Sequence, residues 1–407
     1  MNQKVLYILV NFSKKTTFIL NELLALQKYL DVNVCAFKNI QKDEVNELYK
    51  QFEGEKNYLM VNSLQNILYL IWLNVLFLLL HPYITFKYLQ KYIAYALKTK
   101  RKAYLRTFFY APLLYEKVKD NNYTHLHSHY VDFHSLAVKQ ISEMLKIPYS
   151  LTIHAYEIFV NRPSGYIDYL NEIFTGAQKI AVISEYNKKF ILDNVNSSLE
   201  DKIEIIRCGI NVKKQELPEK IFNEPLKMLS ISVLKEKKGL IHLINALPLL
   251  ENIPYSLTIV GEGPEKDKLI SRTCELQLHN NVNFLDYLDN DKVYSFMKGF
   301  DVFILPAQKA EDGDLDGIPV VLMEAMYNGI PVVSTNVSGI PELVTGFPGT
   351  GMLCEPESPE SLTNTINSFF HLSQNEKQEM IQNAKNKVIQ DFNIDKEAER
   401  LKDKIFI

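Results

Sequence analysis

The chain alternates two kinds of segment along most of its length. Short runs rich in β-branched and aromatic residues recur, and stretches with helical spacing lie between them. In the first half the spacing predicts strands at Val5–Val10, Val32–Phe37, His125–His129, Tyr149–Ile153, Lys179–Ile183 and Ile203–Arg207. Helices are expected over Phe18–Tyr29 and Ser135–Leu145. In the second half it predicts strands at Lys227–Val233, Ser256–Val260, Val282–Phe284, Val302–Leu305 and Val332–Ser334, with helices over Gly239–Leu250 and Lys266–Gln277. Such alternation builds parallel sheets covered by helices, an α/β class. With 407 residues the chain exceeds one ordinary core, so two such sheets are expected. The polar, proline-bearing stretch 213–226 reads as the linker between domain 1–212 and domain 227–388.

Charge and cysteine use exclude several classes. A net charge of −3 gives no global basic signal for nucleic acid. Cys35, Cys208, Cys274 and Cys354 are scattered without a CxxC pair, which reads as free thiols in a reducing compartment. The first residues read as a strand entering a loop, with no signal-peptide pattern. One segment departs from this soluble pattern. Ile67 to Leu80 is nearly all apolar, yet shorter than the ~20 residues that span a bilayer. Lys87, Lys91, Lys98, Lys100, Arg101, Lys102 and Arg106 follow, interleaved with tyrosines. A helical insertion over about 60–118 is expected, either lying on an anionic membrane surface or buried with a solvated basic partner.

The chemistry concentrates in DGIPVVLMEAMYNGIPVVSTNVSGIP, residues 316–341. It reads as loop, helix, tight turn and strand, with Pro319 in the first helical turn and Gly329 after the last. Asp316 and Glu324 stand with seven residues between them. Free N–H groups near Gly317, Ile318, Val320 and Val321 would then point out of a helix start, which favours phosphate. The alternative is an acidic cap on a solvated helix. This stretch resembles the E-x7-E signature of the GT-B glycosyltransferases of family 4. The Asp at the first position, within DGIP, resembles a subgroup of colanic-acid and exopolysaccharide transferases. The resemblance implies two Rossmann-like domains facing across a cleft, with the terminal helix, about 389–407, returning to the first domain. It also implies that Glu324 holds the ribose of a nucleotide-sugar donor and that Asp316 faces the donor sugar.

Other stretches extend the resemblance. In SVLKEKKGL, Lys238 matches the family's diphosphate-binding lysine, and Val233 stands where an arginine is usual. A lysine acts as a point charge, whereas the arginine would bind phosphate through two parallel bonds. Gly261 and Gly263 in VGEGP permit close backbone approach on the cleft side. Asp286 and Tyr287 occupy the position that meets the nucleobase in the family. His154 ends an apolar strand and is implied to face donor sugar and phosphate, with Glu157 orienting it or meeting the acceptor. His125, His127 and His129 share one strand face, a pattern that can bind zinc. HLHSHY also resembles the family's own strand, so no metal site is expected, and His129 is placed toward the acceptor. Thr16 and Thr17 are candidates for phosphate contact or for a simple N-cap.

The resulting expectation is a retaining glycosyltransferase that requires no metal. Its donor would be a UDP- or GDP-sugar ahead of an ADP-sugar. Its acceptor would be an oligosaccharide, lipid-linked, in exopolysaccharide, capsule or lipopolysaccharide assembly, with the protein cytoplasmic and peripheral on the inner face of the cytoplasmic membrane. Two alternatives stay open: a nucleotide-sugar hydrolase or epimerase, and a non-catalytic scaffold of a polysaccharide-assembly complex.

Overall fold

The computed structural model describes residues 3–12, 16–38, 47–59, 64–160, 162–163, 165–212, 219–288, 290–346 and 348–406. The chain divides into two compact units, Met1–Arg207 with Ile394–Ile407, and Cys208–Asn393. Ile210 pairs with Asn393 and donates its N–H to the Phe392 carbonyl, so residues after Arg207 already belong to the second unit.

The first unit is built on strands β1 (Lys4–Leu9), β2 (Asp31–Ala36), β3 (Lys56–Tyr58), β4 (His125–His129), β5 (Tyr149–Ile153), β6 (Lys179–Val182) and β7 (Ile203–Ile205). Among the described residues they form one parallel sheet in the order β3-β2-β1-β4-β5-β6-β7. The order reverses between β1 and β4. In open α/β sheets the crevice for ligands lies at such a switch point, beyond the carboxyl ends of the strands. Buried parallel strands are expected to be uniformly apolar. Strand β4, HLHSH, is fully buried and polar instead, which requires a hydrogen-bond partner for each ring nitrogen.

The second unit is built on β8 (Leu226–Ile231), β9 (Tyr255–Val260), β10 (Val282–Leu285), β11 (Val302–Leu305), β12 (Val332–Thr335) and β13 (Met352–Cys354). Their order is β10-β9-β8-β11-β12-β13, again parallel, with the switch point between β8 and β11.

Seven helices matter for function: α1 (Thr17–Leu26), α2 (Leu64–Leu80), α3 (Pro82–Thr99), α4 (Ala103–Val118), α5 (Phe133–Leu145), α6 (Val320–Tyr327) and α7 (Ile394–Ile405). Helix α7 places Ile394, Ala398, Leu401 and Ile405 on one stripe. That stripe packs with Tyr7 and Leu23 in the core of the first unit. The terminal helix therefore returns to the first unit, beginning at Ile394 rather than near residue 389.

Helices α2, α3 and α4 form the expected insertion. Helix α2 bends by 117° into α3 at His81, where Pro82 opens the new helix. Among the described residues no single helix is long and apolar enough to cross a membrane. Helix α3 buries Tyr88, Tyr92 and Tyr95 on one face. The basic patch behaves differently from the sequence expectation. Lys87 pairs with Glu143, Lys91 with Glu172, Lys98 with Asp168 and Arg101 with Asp132. Four of the seven cations therefore hold the insertion to α5 and its neighbours. Among the described residues Lys100, Lys102 and Arg106 have no carboxylate partner. The apolar side is left uncovered in the chain itself, with Leu79 72%, Leu68 59%, Ile71 57% and Trp72 56% exposed.

Candidate active site

In the second unit, the segments that follow β8 and β11 meet at the switch point. After β8 the chain makes a single 3₁₀ turn, Glu236–Lys238, and then Gly239. Gly239 has φ +63°, and a Cβ there would lie 1.9 Å from the Pro306 carbonyl oxygen. Only glycine lets the two segments approach this closely. Gln308 N–H donates to the Lys237 carbonyl at 2.9 Å, and Glu311 N–H donates to Glu236 Oε1 at 3.1 Å.

This stitching brings two lysines onto two aspartates. Lys238 Nζ donates to Asp316 Oδ2 at 2.6 Å. Lys237 Nζ reaches Asp316 Oδ1 at 3.2 Å and Asp314 Oδ1 at 3.1 Å. The Asp316 side chain is only 11% exposed. Burial alone would raise its pKa, but Lys238 and Lys237 outweigh that and hold it below the usual carboxylate value. Burial likewise works against the charge on Lys237, and Asp316 and Asp314 reverse the effect and raise its pKa. Lys237, with Lys235, is a candidate to compensate for the arginine missing at Val233, whereas Asp314 was absent from the expected site. The recurrence of DGD before DG was the signal in the sequence.

Helix α6 starts at Val320. Pro319 takes the N-cap position rather than the first turn, and Gly317 and Ile318 are buried just before it. The helix ends as expected. Gly329, at φ +75°, donates to the Met326 carbonyl and Ile330 donates to the Ala325 carbonyl, closing the last turn. Val320 and Val321 are half-buried in the first turn. Glu324 is the fifth helical residue and also half-buried. Among the described residues its carboxyl has no hydrogen-bond or ion-pair partner. Burial raises its pKa to about 7.

Four other candidates belong to this unit. At Gly261 a Cβ would meet the Ser232 carbonyl oxygen at 1.9 Å, and at Gly263 the Leu234 carbonyl oxygen at 2.3 Å. These glycines make room for the chain's own backbone after β8. Asp286 is 82% exposed and pairs with Lys266 at 2.5 Å, and Tyr287 is 68% exposed.

In the first unit, His129 and His154 sit at the carboxyl ends of adjacent strands. His129 Nε2 lies 2.9 Å from Glu22 Oε1, a residue of α1. His129 Nδ1 lies 3.1 Å from His154 Nε2. With Glu22 ionised, His129 donates to it and its Nδ1 accepts from His154. Glu22 also accepts from Tyr7 Oη at 2.8 Å. Burial, reinforced by His129, holds the His154 pKa well below the ordinary value. His154 N–H donates to Glu157 Oε1 at 2.7 Å, and Asn187 donates to the His154 carbonyl. Burial raises the Glu157 pKa to about 7. Glu157 thus fixes the His154 backbone. Glu22 and Asn187 were not among the sequence candidates, because nothing local to Glu22 or Asn187 shows what the fold brings beside it.

His127 lies within the sheet, its two nitrogens 2.8 Å from Ser150 Oγ and 2.9 Å from Thr152 Oγ1. His125 Nε2 shares Ser150 Oγ at 2.8 Å. Ligand atoms of Glu22, His127 and His129 come within 4.8 Å of one another. The His127 and His129 nitrogens are already engaged in the hydrogen bonds described, so the donor set fits a polar network better than a metal. Thr16 holds the N-cap position of α1 and Thr17 opens it, while Lys14 and Lys15 lie outside the described residues.

Comparison with known proteins places this arrangement. The family described as glycosyl transferases group 1 matches residues 211–387. Glycosyltransferase Family 4 matches residues 87–214. Together these two glycosyltransferase families match residues 87–387. A protein named as a colanic acid biosynthesis glycosyltransferase, WcaL of Escherichia coli (strain K12), is 36% identical over 196 residues, which is 47% of this chain and 48% of WcaL. The amylovoran biosynthesis glycosyltransferase AmsK of Erwinia amylovora is 37% identical over 147 residues, 35% of this chain and 36% of AmsK. These matches thus span about half or less of each relative. A glycosyltransferase from Rickettsia africae ESF-5 shares the fold, with a TM-score of 0.72 at 17% identity over 98% of this chain and 97% of its own. Anabaena Alr3699/HepE, solved with UDP and glucose, gives 0.71 at 15% identity over 98% of both chains. The glycosyltransferase fold accounts for the position of both candidate clusters, since each lies at the switch point or the adjoining strand ends of its sheet.

Proposed function

We propose that the protein moves a sugar from a nucleotide-diphosphate sugar, UDP- or GDP-linked, to a lipid-linked oligosaccharide acceptor, retaining the anomeric configuration. Glu324 carries this reading. A half-buried carboxyl with no partner of its own is suited to accept hydrogen bonds from vicinal ribose hydroxyls, and burial raises its pKa. The start of α6 and the Lys237–Lys238 pair supply positive charge for the diphosphate. In the ligand-free chain Asp316 holds that pair in place. The arriving diphosphate competes with it, which leaves Asp316 to accept from sugar hydroxyls. Lysine charge and backbone N–H groups also take the part that an arginine at Val233 would play. His154, kept neutral and donating from Nε2 toward His129, is assigned to a hydroxyl of the donor sugar, from which its Nδ1 would accept. Glu157 positions it, and no metal is required.

The names of the relatives, colanic acid and amylovoran biosynthesis, support an exopolysaccharide product. The uncovered apolar face of α2, in an insertion that also carries Lys100, Lys102 and Arg106, supports peripheral contact with an anionic membrane and hence a lipid-linked acceptor. The test is turnover of UDP- and GDP-sugars with a lipid-linked oligosaccharide fraction, with the anomeric centre of the product read by NMR. Release of free sugar alone would replace the transferase reading with the hydrolase.

A further inference from the structure

Within the insertion, α2, α3 and α4 enclose a groove of about 350 Å³, a size that suits a small-molecule site. Val75, Leu78, Phe86, Leu89, Phe108 and Phe109 line it. It opens on the same helix that leaves Leu68, Ile71, Trp72 and Leu79 uncovered. Three polar side chains enter the lining. Thr85 donates from Oγ1 to the His81 carbonyl at 2.7 Å. Asn74 has its amide nitrogen engaged, donating to the Leu70 and Phe109 carbonyls at 2.8 and 3.0 Å. Gln140 of α5 does not. Its Oε1 accepts from Tyr92 Oη at 3.3 Å, while its Nε2 is buried with no partner, in a residue 1% exposed. An unpartnered buried amide donor costs stability unless a ligand supplies an acceptor. Arg106 stands three residues before Phe109 on α4, so the two share a helix face. A free cation therefore lies along the ridge that forms one wall of the groove.

We propose that this groove binds one ester-linked acyl chain of a membrane phospholipid. The chain fills the apolar lining, the ester carbonyl accepts from Gln140 Nε2, and Arg106 with Lys102 meets the phosphate. The unpartnered donor favours an acyl ester over an isoprenoid chain, which carries no oxygen to place there. The proposal deepens the membrane reading above and rests on it.

The test uses the full chain and monomeric 1-acyl lysophosphatidic acids of increasing length, below their micelle concentrations, followed by calorimetry. Affinity is expected to rise about fourfold per methylene until the groove is filled, and then to level off. An ether analogue without the carbonyl should bind roughly fivefold more weakly, and Gln140→Leu should abolish that difference. Val75→Phe should remove the dependence on chain length while nucleotide binding persists, which shows that the variant is folded. Binding independent of chain length, or undiminished in Val75→Phe, would overturn the proposal, as would tighter binding of geranylgeranyl phosphate than of any acyl probe. Co-sedimentation with phosphatidylglycerol vesicles separates the two readings. Vesicle binding without lysolipid binding removes only the groove, whereas no vesicle binding removes the membrane reading itself.

Discussion

Replacing Glu324 by Gln should stabilise the protein and weaken donor binding, and the first effect should depend on pH in a defined way. The side chain has its pKa raised from 4.5 to about 7 in the folded chain. A group raised on folding adds stability that is fully present below its unfolded pKa and is lost as pH rises through the folded one. In the wild type that loss spans about pH 4.5 to 7. At ~1.4 kcal/mol per pKa unit the ceiling is about 3.4 kcal/mol. Glu324 is only half-buried, and solvent reduces the figure to about 1–2 kcal/mol. Gln keeps the shape and never ionises. Scanning calorimetry should therefore show a higher transition for Glu324→Gln at pH 8, by roughly 2–8 °C, and almost no difference near pH 4.5. The gain should grow between those values and level off above pH 7.5. A pH-independent difference, or a less stable variant at pH 8, would refute the reasoning. The same ionisation predicts that nucleotide affinity falls as pH drops below 7, and Glu324→Gln should flatten that dependence.

The remaining predictions concern the other clusters. Asp316→Asn removes the charge that holds Lys237 and Lys238. Nucleoside diphosphate affinity should rise several-fold while turnover falls, both read by steady-state kinetics with product inhibition; weaker product binding would contradict the cluster's role. Burial lowers the pKa of His125 and of His134 from 6.5 to about 4. Groups depressed in this way withdraw stability as pH falls from 6.5 to 4, by at most ~3.4 kcal/mol each. Urea unfolding monitored by Trp72, which lies in the first unit, should show that decline, and His134→Gln should lessen it. Exchanging Leu68 and Leu79 for Ser on the uncovered face of α2 should lower vesicle partitioning at least tenfold with nucleotide binding unchanged, as measured by sedimentation.

Most of the architecture was legible because buried parallel strands leave a strong apolar signal. His125–His129, Tyr149–Ile153 and Val302–Leu305 coincide with their strands to the residue. Lys56–Tyr58 and Met352–Cys354 escaped notice, since a three-residue edge strand gains its conformation from one neighbour and carries little pattern of its own. Glu324 and Asp316 were legible through their fixed spacing around one helix start. Glu22 was not, because it meets His129 only when α1 packs against the sheet, 107 positions away in sequence. The basic patch misled for a related reason. Cations that look solvated along a helix find Glu143, Glu172, Asp168 and Asp132 only once the insertion has folded against the rest of its unit. The glycines of VGEGP were correctly read as sites of close approach. What approaches them, however, is the backbone of Ser232 and Leu234.

The donor site is the core of this account, and calorimetric titration with UDP, GDP and ADP and their sugar conjugates tests it most directly, with Glu324→Ala alongside the wild type. The account predicts that one nucleotide family, uridine or guanosine, binds the wild type, and that Glu324→Ala loses most of that affinity. Binding that survives unchanged in Glu324→Ala, or no binding by any of these nucleotides, would contradict it.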